Sequence, residues 1–144
     1  KFYKVFLIFL NMAGLLTHLS IALVGFLIIT IFSSSYKYGL AFVIGHVITD
    51  AIGILISAVK LETINLYILV ENPAYWKLNA MIHNPYIWIF VFILISVFIF
   101  ILLKADKIKK ESFEKLFIAN VLFLIGTAIH LIIDNLIFET NRLI

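Results

Sequence analysis

Cysteine is absent from the 144-residue chain. That excludes disulfides, thiolate metal sites, iron–sulfur clusters and a cysteine nucleophile, and it says nothing about redox compartment. Charge is scarce as well. Only 13% of residues are Asp, Glu, Lys or Arg, about half the share of a typical soluble domain. Eleven basic and eight acidic side chains cannot cover the surface that a soluble domain of this size leaves exposed. Disorder does not fit either, because it requires low hydrophobicity and high net charge. Two hydrolase motifs are missing, Gly-x-Ser-x-Gly and His-Glu-x-x-His, so neither a serine hydrolase nor a zincin is supported.

What is present is apolar. Hydrophobic residues make up 64% of the chain, aromatics 15% and phenylalanine alone fourteen positions. The mean hydropathy is +1.16 and the isoelectric point about 9.2. The net charge of +3 is too thinly spread through apolar sequence to mark a nucleic-acid surface. It reads instead as the flanking charge of membrane spans. The first residue is Lys. The apolar run from Val5 to Phe32 is about twice the length of a signal-peptide core and lacks a cleavage-type pattern, so a signal peptide is a poor reading of it.

A spanning helix needs roughly 20 apolar residues. Four segments meet that length: Met12 to Phe32, Gly39 to Val59, Tyr86 to Leu103 and Leu116 to Phe138. Lipid offers backbone groups no water, so these segments are helices. The expected fold is an all-α integral membrane protein, a single domain over residues 1–144 built as a four-helix bundle. Ser33 to Tyr38 forms a short polar turn. Lys60 to Pro85 is a longer loop with Asn72-Pro73 and Asn84-Pro85 as breakers. Within it the apolar run Ile64 to Val70 reads as a short interfacial helix. Tyr75, Trp76, Tyr86 and Trp88 stand where an aromatic belt is expected.

The N-terminal side of the membrane receives Lys1, Lys4, Lys60, Lys77 and Arg142. The opposite side receives Lys37, Lys104, Lys107, Lys109, Lys110 and Lys115. The dense 104–115 loop points to the second side as cytoplasmic. The second span also carries Ala41, Gly45, Thr49, Gly53 and Ser57 at a four-residue period, a stripe that lets a neighbouring helix approach closely.

Any chemistry lies in ionisable residues within the spans. His18 is in the first, His46 and Asp50 in the second, His130 and Asp134 in the fourth, and His83 precedes the third. Each such group costs on the order of 3 kcal/mol in hydrocarbon, so groups on three helices are expected to meet and compensate. Depth agrees. At ~1.5 Å per residue, His18, Asp50, His130 and Asp134 lie ~6–13 Å below the N-terminal-side surface, with His83 at that surface and His46 deeper. His46-Val-Ile-Thr-Asp50 and His130-Leu-Ile-Ile-Asp134 place an imidazole and a carboxylate on one helix face. Such a pair can ligate one ion, bridge two, or have the Asp orient the imidazole.

The expected metal ligands are His18, Asp50, His83, His130 and Asp134. His46 is expected as a general base or an outer partner, with His18 at the open part of the site. His/Asp sets without Cys suit zinc, manganese or iron, as one or two divalent ions. Thr17, Ser20, Thr49 and Asn135 lie near the set, whereas Asn11 and Asn120 have no assigned role. His18 with His46 and Asp50 also parallels His83 with His130 and Asp134, a loose two-fold likeness.

The order Thr17-His18-Leu19-Ser20, Gly45-His46-Val47-Ile48-Thr49-Asp50, a middle His83 before an aromatic-rich span, and His130-Leu131-Ile132-Ile133-Asp134 resembles the membrane-bound metal-dependent hydrolases of the LexA-regulated inner-membrane type. The order of ligands is also similar to that of zinc-dependent phospholipase C. The latter likeness implies Asp50, His83, His130 and Asp134 as metal ligands and His18 on a further ion. The hydrolase family often has Pro-Asp where this chain has Thr49-Asp50, and Arg-Gly-x-Thr-His-Ser where it has Ala80 to Pro85.

These observations point to a membrane-embedded metal-dependent hydrolase acting on a lipid or phosphoester. Two other readings remain open. One is a small b-type haem protein with His18 and His130 as axial ligands. The other is a non-catalytic membrane subunit or ion-conducting protein working as a homo-oligomer or in a larger membrane complex.

Overall fold

The computed structural model describes the backbone of residues 2–65, 68, 69 and 72–142, and the side chains among them between residues 16 and 136. Among these residues it has five helices of ten residues or more, helical residues at 68 and 69, and no strand. They are α1 (Phe2–Ser33), α2 (Tyr36–Lys60), α3 (Pro73–Ile82), α4 (Pro85–Lys104) and α5 (Lys110–Arg142). All but α3 contain a stretch long and apolar enough to cross a membrane: Leu16–Ser33, Tyr36–Lys60, Pro85–Lys104 and Lys110–Leu136. By length and composition, this all-helical architecture is that expected of a membrane protein.

The α1–α2 reversal takes two residues. Ser34 adopts a left-handed conformation with φ of 53°, the usual way to end a helix when the next begins at once. Asp106 does the same after α4, with φ of 55°. The charged turn is shorter than the sequence suggests, because α5 starts at Lys110. Glu111 sits in its first turn and pairs with Lys115 at 2.6 Å, an i,i+4 contact that favours helix there.

The loop between the second and third spans holds a helix that the sequence did not lead us to expect, Pro73–Ile82. In the run Ile64 to Val70, residues 64 and 65 are non-helical, 68 and 69 are helical with the Leu69 amide donating to the Asn65 carbonyl at 3.0 Å, and 66, 67 and 70 lie outside the described residues. Both Asn-Pro pairs start helices. The Asn72 side chain accepts from the Ala74 amide at 2.9 Å, and that of Asn84 from the Tyr86 amide at 3.0 Å. Asn at the N-cap followed by Pro at the first helical position satisfies an orphan donor and removes another.

Helices α2 and α5 form the central pair, with α1 against α2, α4 against α5 and α3 against α2. The α2 stripe makes this pairing possible. A Cβ on Gly45 would run into the backbone of Phe123, and one on Gly126 into the backbone of Phe42. Thr127 Oγ1 donates to the Gly45 carbonyl at 2.9 Å across the same contact. Gly39 brings α2 against Phe26 of α1, and Gly53 brings it against Asn79 of α3.

The molecule is polar inside and apolar outside. His46, Thr49, Ser57, Thr127 and His130 are almost wholly buried, while Ile31, Phe32, Phe90 and Phe98 are exposed. That distribution suits a hydrocarbon solvent. Half of the anticipated aromatic belt turns inward: Tyr75 and Trp88 are buried, whereas Trp76 and Tyr86 are exposed. Trp88 Nε1–H donates to the Ile82 carbonyl at 2.7 Å, which ties the α3–α4 corner together.

Asn120 has a definite part to play. Its side-chain NH2 donates to Ser96 Oγ (2.9 Å) and to the Phe92 carbonyl (3.2 Å), linking α5 to α4. An interhelical bond of this kind contributes about 0.6–1.7 kcal/mol in lipid. Asn120→Leu is expected to lower the unfolding free energy in detergent–denaturant titration by about that amount. Metal content should be unchanged.

Candidate metal centre

Three elements and one connection converge at the membrane end where α3 lies. Asp50 comes from α2, His130 and Asp134 from α5, His18 from α1, and His83 from the α3–α4 corner. His83 is the C-cap of α3, held by the Asn84 cap, the Trp88 bond and its own ring: Nδ1–H donates to the Asn79 carbonyl at 2.8 Å. That bond directs Nε2 inward, the usual orientation for a metal-binding imidazole.

Four atoms face one another. His83 Nε2 and His130 Nε2 are 3.3 Å apart. Each meets the same oxygen of Asp50, at 3.4 and 3.5 Å from Oδ1. Each also meets the same oxygen of Asp134, at 2.8 and 3.2 Å from Oδ2. A tetrahedral ion with bonds of about 2.0–2.1 Å spaces its ligand atoms about 3.3–3.4 Å apart. The measured edges of 2.8 to 3.5 Å bracket that value. Asp50, His83, His130 and Asp134 can hold a metal ion.

His18 stands behind this set and not in it. Its Nε2–H donates to Asp134 Oδ1 at 2.9 Å, the oxygen the other two histidines leave unused. Its Nδ1 lies 3.2 Å from His46 Nε2. His46 Nδ1 faces the Gly126 carbonyl at 3.3 Å and must carry a proton there. One of the two facing nitrogens, His18 Nδ1 or His46 Nε2, donates across that contact. Through its contact with Oδ1, His18 steadies the Asp134 carboxylate. With His46 and His130 it also belongs to a second group of ring nitrogens within 4.8 Å of one another. His130 Nδ1 is buried with no hydrogen-bond partner.

His46 is fully buried. Its ring nitrogens face His18 and the Gly126 carbonyl, and it does not line the neighbouring cavity. The two-fold likeness is also broken. Asp50 and Asp134 both reach the four-atom set, but His130 does so while its counterpart His46 does not.

A cavity of about 350 Å³ opens beside the set, lined by Trp76, Asn79, Ala80, His83, Leu131, Asp134 and Asn135. Of the sequence candidates near the site, Asn135 reaches this cavity, while Thr49 is buried in the α2 stripe. Sequence reasoning missed Trp76 and Asn79. The signal was available, since Asn72-Pro73 starts the helix that carries both. Solvent also reaches Asp50, whose side chain is 44% exposed.

Burial opposes a charge on His83, but hydrogen bonds to Asp134 and Asp50 and the one to Asn79 outweigh it and push its pKa up to about 10. Burial likewise pushes the Tyr75 phenol up, reinforced by the negative charges of Asp50 and Asp134.

A haem between His18 and His130 does not fit. Axial imidazoles stand on opposite faces of the macrocycle, with ring centres about 6 Å apart for bonds of about 2.0 Å. Here the ring centres are 4.4 Å apart. No protein family, curated protein or solved structure matches this chain.

Proposed function

We propose that this protein is a membrane-embedded, metal-dependent hydrolase whose ion is held by Asp50, His83, His130 and Asp134. The observation that supports this most is the four-atom set, in which each imidazole nitrogen lies 2.8 to 3.5 Å from the other and from both carboxylate oxygens, beside a cavity large enough for a small headgroup. Zinc fits the donor set best, because two imidazoles and two carboxylates at tetrahedral spacing suit it. A divalent ion there supplies Lewis-acid polarisation of a carbonyl or phosphoryl oxygen and makes water a competent nucleophile near neutral pH.

The chain's own residues do the rest. His83 and His130 point their Nε2 atoms at one place, and Asp50 and Asp134 provide the compensating negative charge. His18 holds a proton on Asp134 Oδ1, which leaves Oδ2 as the ligand atom. The His46–His18–Asp134 chain is a continuous hydrogen-bonded path that can carry a proton between the buried α2–α5 contact and the site. Trp76 gives the cavity an apolar wall, while Asn79 and Asn135 bring amide groups to it. A lipid ester or phosphoester entering from the membrane surface is the substrate class that this lining and depth suit.

Metal analysis of the purified protein tests the proposal. About one zinc or manganese per chain, with hydrolysis of chromogenic acyl esters or phosphodiesters that a chelator abolishes, is the expected result. Less than about 0.5 ion per chain, with no gain on adding either metal, would falsify it.

The affinity should also depend on pH. Without metal, His83 is protonated up to about pH 10, and the ion must displace that proton. Apparent affinity is therefore expected to rise with pH toward 10, by up to about tenfold per unit for each ligand proton released. Stability of the metal-free protein runs the other way. The His83 ion pairs contribute fully below the unfolded pKa of about 6.5, and the contribution is lost as pH rises through about 10. Chelator competition and thermal unfolding between pH 6 and 10 check both trends.

A further inference from the structure

A second cavity lies at the opposite membrane end from the metal centre. It has a volume of about 710 Å³ and sits between the α1–α2 turn and the first turns of α5. Ser35, Lys37 and Tyr38 line one side, and Ser112, Lys115 and Leu116 the other. The apolar spans begin or end at Ser33, Tyr36, Lys104 and Lys110, so the cavity is at headgroup level. We infer that it binds the phosphate headgroup of an anionic phospholipid.

Three observations carry this. The first is charge. Two ammonium groups flank the cavity, and among the described residues Lys37 has no carboxylate partner. Lys115 is paired with Glu111 at 2.6 Å, so a phosphate shares that lysine and meets Lys37 first. Lys104, Lys107, Lys109 and Lys110 add positive charge in the adjoining turn and helix start. Basic pockets between spans attract lipid headgroups for this reason. The second is hydrogen bonding. Hydroxyls of Ser35, Tyr38 and Ser112 can donate to phosphate oxygens. The Ser35 side chain makes no capping bond to α2; the Tyr38 amide donates to the Ser35 carbonyl at 3.3 Å, which leaves the two amides before it to another acceptor. The third is what lies on the membrane side. Phe32, Tyr36, Leu116 and Phe117 are exposed, and Leu116 also lines the cavity, so that acyl chains find apolar surface there.

This inference does not depend on the metal-centre reading. The test is native mass spectrometry of the full chain released from nanodiscs of neutral phosphatidylcholine mixed with anionic phosphatidylglycerol. Retention of phosphatidylglycerol over phosphatidylcholine by about tenfold is expected. Lys37→Gln with Lys115→Gln should bring the ratio close to one, since each lysine near an anionic headgroup contributes roughly fivefold and Glu111 offsets part of that. Both lysines are exposed, so the variant should keep the wild-type helix content by circular dichroism. If it does not, Lys37→Gln alone should still lower the ratio by about fivefold. Equal retention of the two lipids by the wild type overturns the proposal. So does anionic preference that survives in both variants. A third arm adds 10 mM inorganic phosphate, and complete displacement of the lipid would assign the site to free phosphate.

Discussion

Asp134→Ala protein is expected to come out of purification without metal and without hydrolytic activity. Asp134 occupies the centre of the site because both its oxygens are in use. Oδ2 meets His83 and His130 at 2.8 and 3.2 Å, and Oδ1 accepts from His18 at 2.9 Å. Removing it takes away one ligand, the negative charge opposite two imidazoles, and the acceptor that keeps His18 in place. Loss of an outer partner alone costs about 10–100-fold in metal affinity. Loss of a ligand that is also such an acceptor should exceed 100-fold. His18→Ala removes only the outer contact and belongs in the 10–100-fold range. Asp50→Ala should fall between them, since Asp50 gives one oxygen and is half exposed. Chelator-competition titration of the three variants measures the order. A His18 variant that loses as much affinity as the Asp134 variant would move His18 into the ligand set.

Gly45→Val and Gly126→Val should each dismantle the same site from a distance. Neither glycine touches a proposed ligand atom. A side chain at either position meets backbone, of Phe123 or of Phe42, and backbone in a packed helix pair cannot rotate away as a side chain can. Overpacking a core costs about 1–3 kcal/mol where side chains can shift. Here the helices must separate, so the cost should reach the top of that range. Separation also carries Asp50 away from His130 and breaks the Thr127 bond to the Gly45 carbonyl. Both variants should therefore melt at lower temperature and bind less than half the wild-type metal. Gly14→Val is the control, because a Cβ there meets nothing within 4 Å.

The spans were legible because lipid imposes a simple rule. A chain with apolar runs of about 20 residues and no water for its backbone can only cross as helices, and the four runs lie within α1, α2, α4 and α5. The gathering of ionisable groups was legible for a related reason: polar groups that would each be costly in hydrocarbon are expected to share a site. Asn72-Pro73 was less legible. The same dipeptide can break one helix or start another, and only the side-chain bond to the Ala74 amide distinguishes the two. Asn120 had no assigned role because its partners, Ser96 and Phe92, are distant in sequence and on another helix.

By itself, the sequence determined the membrane class, the helical state of the spans and the set of ionisable groups able to act together. Length, hydropathy and residue type suffice for these because the bilayer acts on each segment separately. Only the tertiary structure decided which imidazole faces which carboxylate oxygen. It put His83 among four converging donor atoms, turned His18 into a support for Asp134, and buried His46 against the Gly126 carbonyl. Those roles depend on helix rotation and separation. Both are set by contacts between residues far apart in the chain, such as Gly45 with Phe123 and Gly126 with Phe42, and spacing along one helix carries no record of them.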